Sequence, residues 1–118
     1  MHGSSEKHKK FRDLLLLNLS LQLGAYVWNN ETGAVQGADR FIRYGFVGSS
    51  DIIGLLPTGQ FLGVEVKTGN ARQSDKQKAF EAAIHKRKGA YYVAKWTDGE
   101  AKEAVDKTIN EIRARHLS

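Results

Sequence analysis

Between Phe11 and Leu23 the apolar positions Phe11, Leu14, Leu15, Leu19 and Leu23 recur every three or four residues, with charged and polar residues between them. That spacing predicts an amphipathic helix. Ser4 or Ser5 suits its N-cap and Gly24 its stop. Leu16 and Leu17 widen the apolar arc beyond one face, which predicts burial on two sides, against a sheet and against a second subunit. Residues 25–28 and 41–44 alternate as strands around a polar turn that includes Asn29-Asn30 and Thr32-Gly33. A hairpin over 51–67 follows, then a loop over 69–72 and a helix over 74–88. In that helix Phe80, Ala83 and Ile84 face the core, and Gly89 ends it. A strand over 90–95 and a helix from Thr97 to about His116 complete the order, the last with Ala101, Ala104, Val105, Thr108, Ile109 and Ile112 at helical spacing. A strand that follows a hairpin only after a helix predicts an α/β fold with a mixed central sheet flanked by helices.

The hairpin is the most specific of these elements. Pro57-Thr58-Gly59 suits a three-residue loop, with Pro in a type I turn and Gly in the left-handed conformation. Leu56 then faces Gln60, Leu55 faces Phe61, and Asp51 faces Glu65. Facing residues point to one side of the sheet, about 5 Å apart. Lys67, two residues beyond Glu65, joins them there. A loop one residue shorter would send Asp51 and Glu65 to opposite faces.

Ile53, Leu55, Phe61 and Gly63 share the face of the acid pair, and Ile52, Leu56, Leu62, Val64 and Val66 fill the other. A hairpin apolar on both sides is expected to be central and covered. Two carboxylates that close repel unless they are neutralised, and a hard divalent cation does this with oxygen ligands. The alternative is an Asp-Lys-Glu ion-pair ladder, which the apolar surroundings disfavour.

Composition narrows the picture further. The chain has 118 residues, enough for one domain over 1–118, and a formal charge of +5. With a sequence pI near 9.6, an anionic partner is expected. The absence of cysteine excludes disulfides and thiolate metal sites and fits a reducing, cytoplasmic setting. His2, His8, His85 and His116 lack zinc-ligand spacing. No apolar run is long enough for a membrane span. The start Met1-His-Gly-Ser-Ser is compatible with a native terminus or a cloning remnant.

Basic residues cluster on the first helix (Lys7, Lys9, Lys10, Arg12) and on the next (Lys76, Lys78, Lys86, Arg87, Lys88), mostly as solvent-facing charge. Arg40, Arg43 and Arg72 lie in or near segments flanking the hairpin and are assigned to phosphate contact, with Lys10 and Ser49. The loop Gly45, Gly48, Ser49, Ser50 presents backbone amides just before Asp51. Its spacing is not that of a P-loop. Trp28, Tyr44 and Phe46 suit either core packing or stacking on an unpaired base.

Asp, a short spacer and Glu-x-Lys resemble the signature of the PD-(D/E)xK nucleases. The ordered segments Trp28-Asn-Asn-Glu-Thr-Gly33, Arg40 to Asp51, Gly63-Val-Glu-Val-Lys-Thr68, Gln73-Ser-Asp-Lys-Gln77 and Gly89-Ala-Tyr-Tyr-Val-Ala94 resemble its VRR-NUC branch, the virus-type replication-repair nucleases, in stand-alone form. Ser50 stands where the wider superfamily often has Pro. The resemblance implies the restriction-endonuclease-like fold and a nuclease that uses Mg²⁺ or Mn²⁺. Asp51, Glu65 and the Val66 carbonyl would hold the metal, and Lys67 would position water or stabilise the transition state. It further implies a helix-borne acid, Glu6 with Asp13 as alternative, although a first-turn Glu also suits the helix dipole. Gln77 both completes a capping box with Ser74 and, by the resemblance, orients the lysine or the water. Structured DNA such as flaps and junctions would be the substrate, a homodimer the working form, and a bacterial or phage-infected host cytoplasm the location. Two other readings are a non-catalytic nucleic-acid-binding subunit and a restriction-type endonuclease. The intact acid pair disfavours the first, and the lack of recognition elements the second.

Overall fold

The computed structural model describes residues 6–30, 33–36, 41–44 and 48–118, the two segments 33–36 and 41–44 by backbone alone. Its elements run α1 (Glu6–Leu23), β1 (Tyr26–Asn29), β2 (Gly33–Gln36), β3 (Phe41–Tyr44), β4 (Ile52–Leu55), β5 (Phe61–Thr68), α2 (Asp75–Lys86), β6 (Ala90–Trp96) and α3 (Ala101–His116). Four strands form a sheet in the order β1-β4-β5-β6. The first two pairings are antiparallel and β5–β6 is parallel, so the sheet is mixed as predicted.

The turn chemistry gives the expected register. Leu55 pairs with Phe61, Ile53 with Gly63 and Ile52 with Val64. The Leu56 amide donates to Gln60 O at 2.9 Å, and Gly59 has φ +90, a backbone state that favours glycine. Continuing that register by one residue sets Asp51 opposite Glu65.

Sequence reasoning misassigned the strand partners further upstream. The polar turn after β1 contains a strand of its own, β2, which pairs with β3 as a separate two-stranded ribbon, while β1 pairs with β4. Ala34-Val35 is too short an apolar run to show a period. The expected cap at Ser4 or Ser5 falls outside the described residues.

The core lies on one face of the sheet. Ile52, Leu62, Val64, Val66, Ala90, Tyr92 and Ala94 are buried there against Phe11, Leu15, Leu19 and Leu23 of α1 and Val105, Ile109 and Ile112 of α3. Gly24 closes α1 at φ +68, its amide donating to Ser20 O. On the other face the described residues place α2, and there Ile53 and Phe61 are only partly buried and Leu55 is exposed, so among the described residues the hairpin is less fully covered than expected. None of the α2 residues is buried, and Phe80, Ala83 and Ile84 are only partly covered. Phe80 and His85 meet Tyr91 edge-on, which sets α2 over β6 and leaves Tyr26, Trp28 and Leu55 exposed at the β1–β4 side. Lys88, at φ +67, makes the left-handed turn after α2, whereas Gly89 permits close approach, since a Cβ there would lie 2.7 Å from Ile84 Cγ2. Among the described residues no helix is long and apolar enough to cross a membrane.

Candidate active site

At the far end of the β4–β5 hairpin, His8, Asp51, Glu65, Val66, Lys67, Thr68, Ala71 and Gln77 line an open cleft of about 360 Å³. Sheet register, helix capping and helix docking each deliver part of it. Strand β5 alternates Glu65 and Lys67 onto the cleft side while Val64 and Val66 stay in the core. Asp51 is set by the loop before β4. There the Asn30 amide donates to Asp51 O at 2.7 Å, and Asn30 Nδ2 donates to Ser49 Oγ at 2.7 Å and Ser50 O at 3.0 Å. The Asp51 carboxylate in turn accepts the Val66 amide through Oδ2 at 2.8 Å, which ties the two hairpin strands at the site.

Gln77 takes part in a helix cap and reaches into the cleft at once. With Ser74 it forms a complete capping box, the Gln77 amide donating to Ser74 Oγ at 3.1 Å and the Ser74 amide to Gln77 Oε1 at 2.8 Å. The same side chain spans the cleft: Oε1 also accepts from Lys67 Nζ at 2.9 Å, and Nε2 donates to Glu65 Oε2. Lys67 Nζ lies 3.4 Å from Glu65 Oε2. Lysine and glutamate are thus held by one amide whose own position is fixed by a helix start.

Glu65 is 3% exposed. Burial pushes its carboxyl up from 4.5 to about 8; the like charge of Asp51 adds to this, and Lys67 opposes it. Its Oε1 is buried without a hydrogen-bond partner. A buried carboxylate oxygen left open beside a second acid is a place where a hard cation would be stabilised, so the donor set fits a divalent metal. Among the described residues no three His, Cys, Asp or Glu side chains converge into a ready-made cage. Glu65 Oε2 is turned instead toward Gln77 and Lys67.

The helix-borne acid is where expectation and structure part. Glu6 is exposed and stands outside the cleft lining, and Asp13 is exposed and pairs with Arg12 at 3.0 Å. What α1 brings to the cleft is His8, whose Nε2 lies 3.2 Å from Val66 O and 3.8 Å from Asp51 Oδ2. The reason is helical phase: His8 precedes Phe11, Leu15 and Leu19 on the buried stripe, whereas Glu6 is displaced from it by about 200° around the axis. In the sequence, the place of His8 on the apolar stripe, three residues before Phe11, is the signal that turns it inward.

Of the predicted phosphate contacts, Lys10 is exposed on α1 away from the cleft, again by helical phase. Arg72 is exposed next to Ala71, which lines it. Ser49 Oγ is held by Asn30 in the loop before Asp51. Arg40 lies outside the described residues, as does the side chain of Arg43.

The family model of the VRR-NUC domain matches residues 24–98, more than half of the chain, starting where α1 has just ended. A solved structure described as a VRR-NUC domain is similar over 97% of this chain and 100% of its own, with a TM-score of 0.60 at 23% identity, a likeness of fold. No curated protein sequence matches.

Proposed function

The chain belongs to the VRR-NUC domain family, a nuclease-type domain whose substrate class is nucleic acid, and we propose that it hydrolyses phosphodiester bonds in DNA with Mg²⁺ or Mn²⁺. The observation that carries this is the pairing of Asp51 with a buried Glu65 that keeps one oxygen open, beside Lys67. Asp51, Glu65 and the Val66 carbonyl would hold the metal. When bound, such an ion lowers the pKa of a coordinated water and withdraws charge from the phosphate. Lys67, kept in place by Gln77, donates to the attacking water or to the phosphate oxygen that gains charge. Asn30 keeps the carbonyl and side chain of Asp51 in register by holding the loop before it.

Branched DNA is the substrate this reading favours, cut by a two-fold dimer. Leu17 and Leu21, one helical turn apart on α1, are 53% and 73% exposed and support self-association, whereas Leu16, expected on the same outward surface, is partly buried against the core. Labelled duplex, flap and four-way-junction DNA incubated with Mg²⁺, Mn²⁺ or EDTA test the whole reading. Cleavage that persists in EDTA, or none with either metal on any substrate, overturns it.

A further inference from the structure

We propose that His8 is the side chain that α1 contributes to the metal, making the site a mixed nitrogen–oxygen one that holds Mn²⁺ more selectively over Mg²⁺ than carboxylates and carbonyl alone would. The inference rests on the metal-nuclease reading and adds to it a ligand of different chemical class.

Three atoms define the placement. His8 Nε2, Val66 O and Asp51 Oδ2 meet at one corner of the cleft, with the nitrogen 3.2 Å from the first oxygen and 3.8 Å from the second. Neighbouring ligands of an octahedral ion with bonds of about 2.1 Å stand about 3.0 Å apart. The nitrogen already sits near that spacing from the carbonyl, and the ring would need to close on Asp51 by less than about 1 Å to reach it. A carbonyl oxygen can only accept, so in the metal-free protein Nε2–H donates to Val66 O. For Nε2 to hold a cation, its proton would shift to Nδ1 of the same neutral ring, leaving the Nε2 lone pair and the Val66 carbonyl available to the ion.

The helix cannot easily offer anything else. Phe11, Leu15 and Leu19 are fully buried against the sheet, so α1 is locked in the rotation that presents His8. Bringing Glu6 to the same corner would turn that apolar stripe out of the core. The remaining donors are Asp51, the Val66 carbonyl and the open oxygen of Glu65.

An imidazole ligand changes which metal the cleft prefers. Mg²⁺ is hard, favours oxygen and gives up water reluctantly, whereas affinity for nitrogen rises along the first-row divalent series that starts at Mn²⁺. The test reads binding rather than turnover. Mn²⁺ is titrated into the full chain by calorimetry, and the bound ion is examined by pulsed electron paramagnetic resonance. The wild type should show nitrogen coupling to Mn²⁺, and that coupling should change character when the protein carries heavy-nitrogen histidine, a substitution that leaves the fold untouched. His8→Ala should lose the coupling and weaken Mn²⁺ binding at least tenfold. His8→Asp should bind without the coupling and narrow the Mn²⁺-over-Mg²⁺ preference. Bound Mn²⁺ with an all-oxygen signature in the wild type overturns the inference and leaves the nuclease reading standing. No Mn²⁺ binding, or binding that Asp51→Asn does not weaken, overturns both.

Discussion

Removing the charge of Glu65 should stabilise the metal-free protein, and the effect should depend on pH in a specified direction. The folded carboxyl is pushed to about 8 from 4.5, first by burial and then by Asp51. Folded protein therefore keeps a proton that the unfolded chain has released, and stability falls as pH climbs from about 4.5 to about 8. At about 1.4 kcal/mol per pKa unit, the full shift sets a ceiling of about 5 kcal/mol. Asp51 is partly open to solvent and Lys67 offsets part of the penalty, so a net gain of roughly 1–3 kcal/mol at pH 8 is expected for Glu65→Gln. The amide retains a carbonyl oxygen for Gln77 Nε2, which limits new losses. For a chain of this size that gain raises the melting temperature by roughly 4–12 °C. Thermal denaturation of both proteins in EDTA, followed by circular dichroism from pH 4.5 to pH 8.5, reads the difference directly. The gap should be near zero at the acid end and widen with pH. Added Mn²⁺ should raise the wild type and barely move the variant. A variant that melts at or below the wild type at pH 8, or a gap independent of pH, would refute the argument that this carboxylate is held against its own charge.

Asp51→Asn should nearly abolish cleavage, while a calcium-supported gel shift still detects bound DNA that dissociates with rising salt as released counterions require. Lys67→Ala should lower single-turnover cleavage by about 10²–10³, the usual effect of losing one charge-stabilising donor, with Mn²⁺ affinity in calorimetry little changed; the reverse pattern would make Lys67 a structural residue. Asn30→Ala removes the two side-chain bonds to Ser49 and Ser50. It should cost about 1–2 kcal/mol in denaturant titration and weaken Mn²⁺ binding, because the loop at Ser49 and Ser50 that leads into Asp51 loses its side-chain anchor; unchanged metal affinity would count against that positioning role. Leu17→Glu with Leu21→Glu should give monomers by light scattering and lose the preference for junctions over duplex, and a monomeric variant with full preference would place the shape-reading surface within one protomer.

What was legible in the sequence was set by neighbours along the chain. Pro57-Thr58-Gly59 chooses a loop length, loop length chooses a register, and register brings Asp51 and Glu65 to one face without reference to the rest of the molecule. Ser74 and Gln77 declare a helix start by a reciprocal pair of bonds spanning only three residues. The alternation that sends Lys67 after Glu65 is equally local. Two of the five family motifs, 63–68 and 73–77, lie within these same stretches.

Other features depended on how finished elements dock. Whether α1 offers Glu6 or His8 is a question of helix rotation, decided when Phe11, Leu15 and Leu19 settle on the sheet. The phase of His8 is recorded only relative to the apolar stripe that begins three residues later, and what that stripe would meet is not written in the first turn itself. The open β1–β4 side could not be read from an apolar pattern either, because Leu55 and Trp28 look like core until α2 is seen to lie over β6. The β2–β3 ribbon depends on two short segments pairing with each other rather than with the main sheet. Turn and cap bonds act over a few residues and leave their signature in sequence. Helix rotation and layer coverage arise from burial of non-local apolar surface, which is non-directional, so only the tertiary structure decides them.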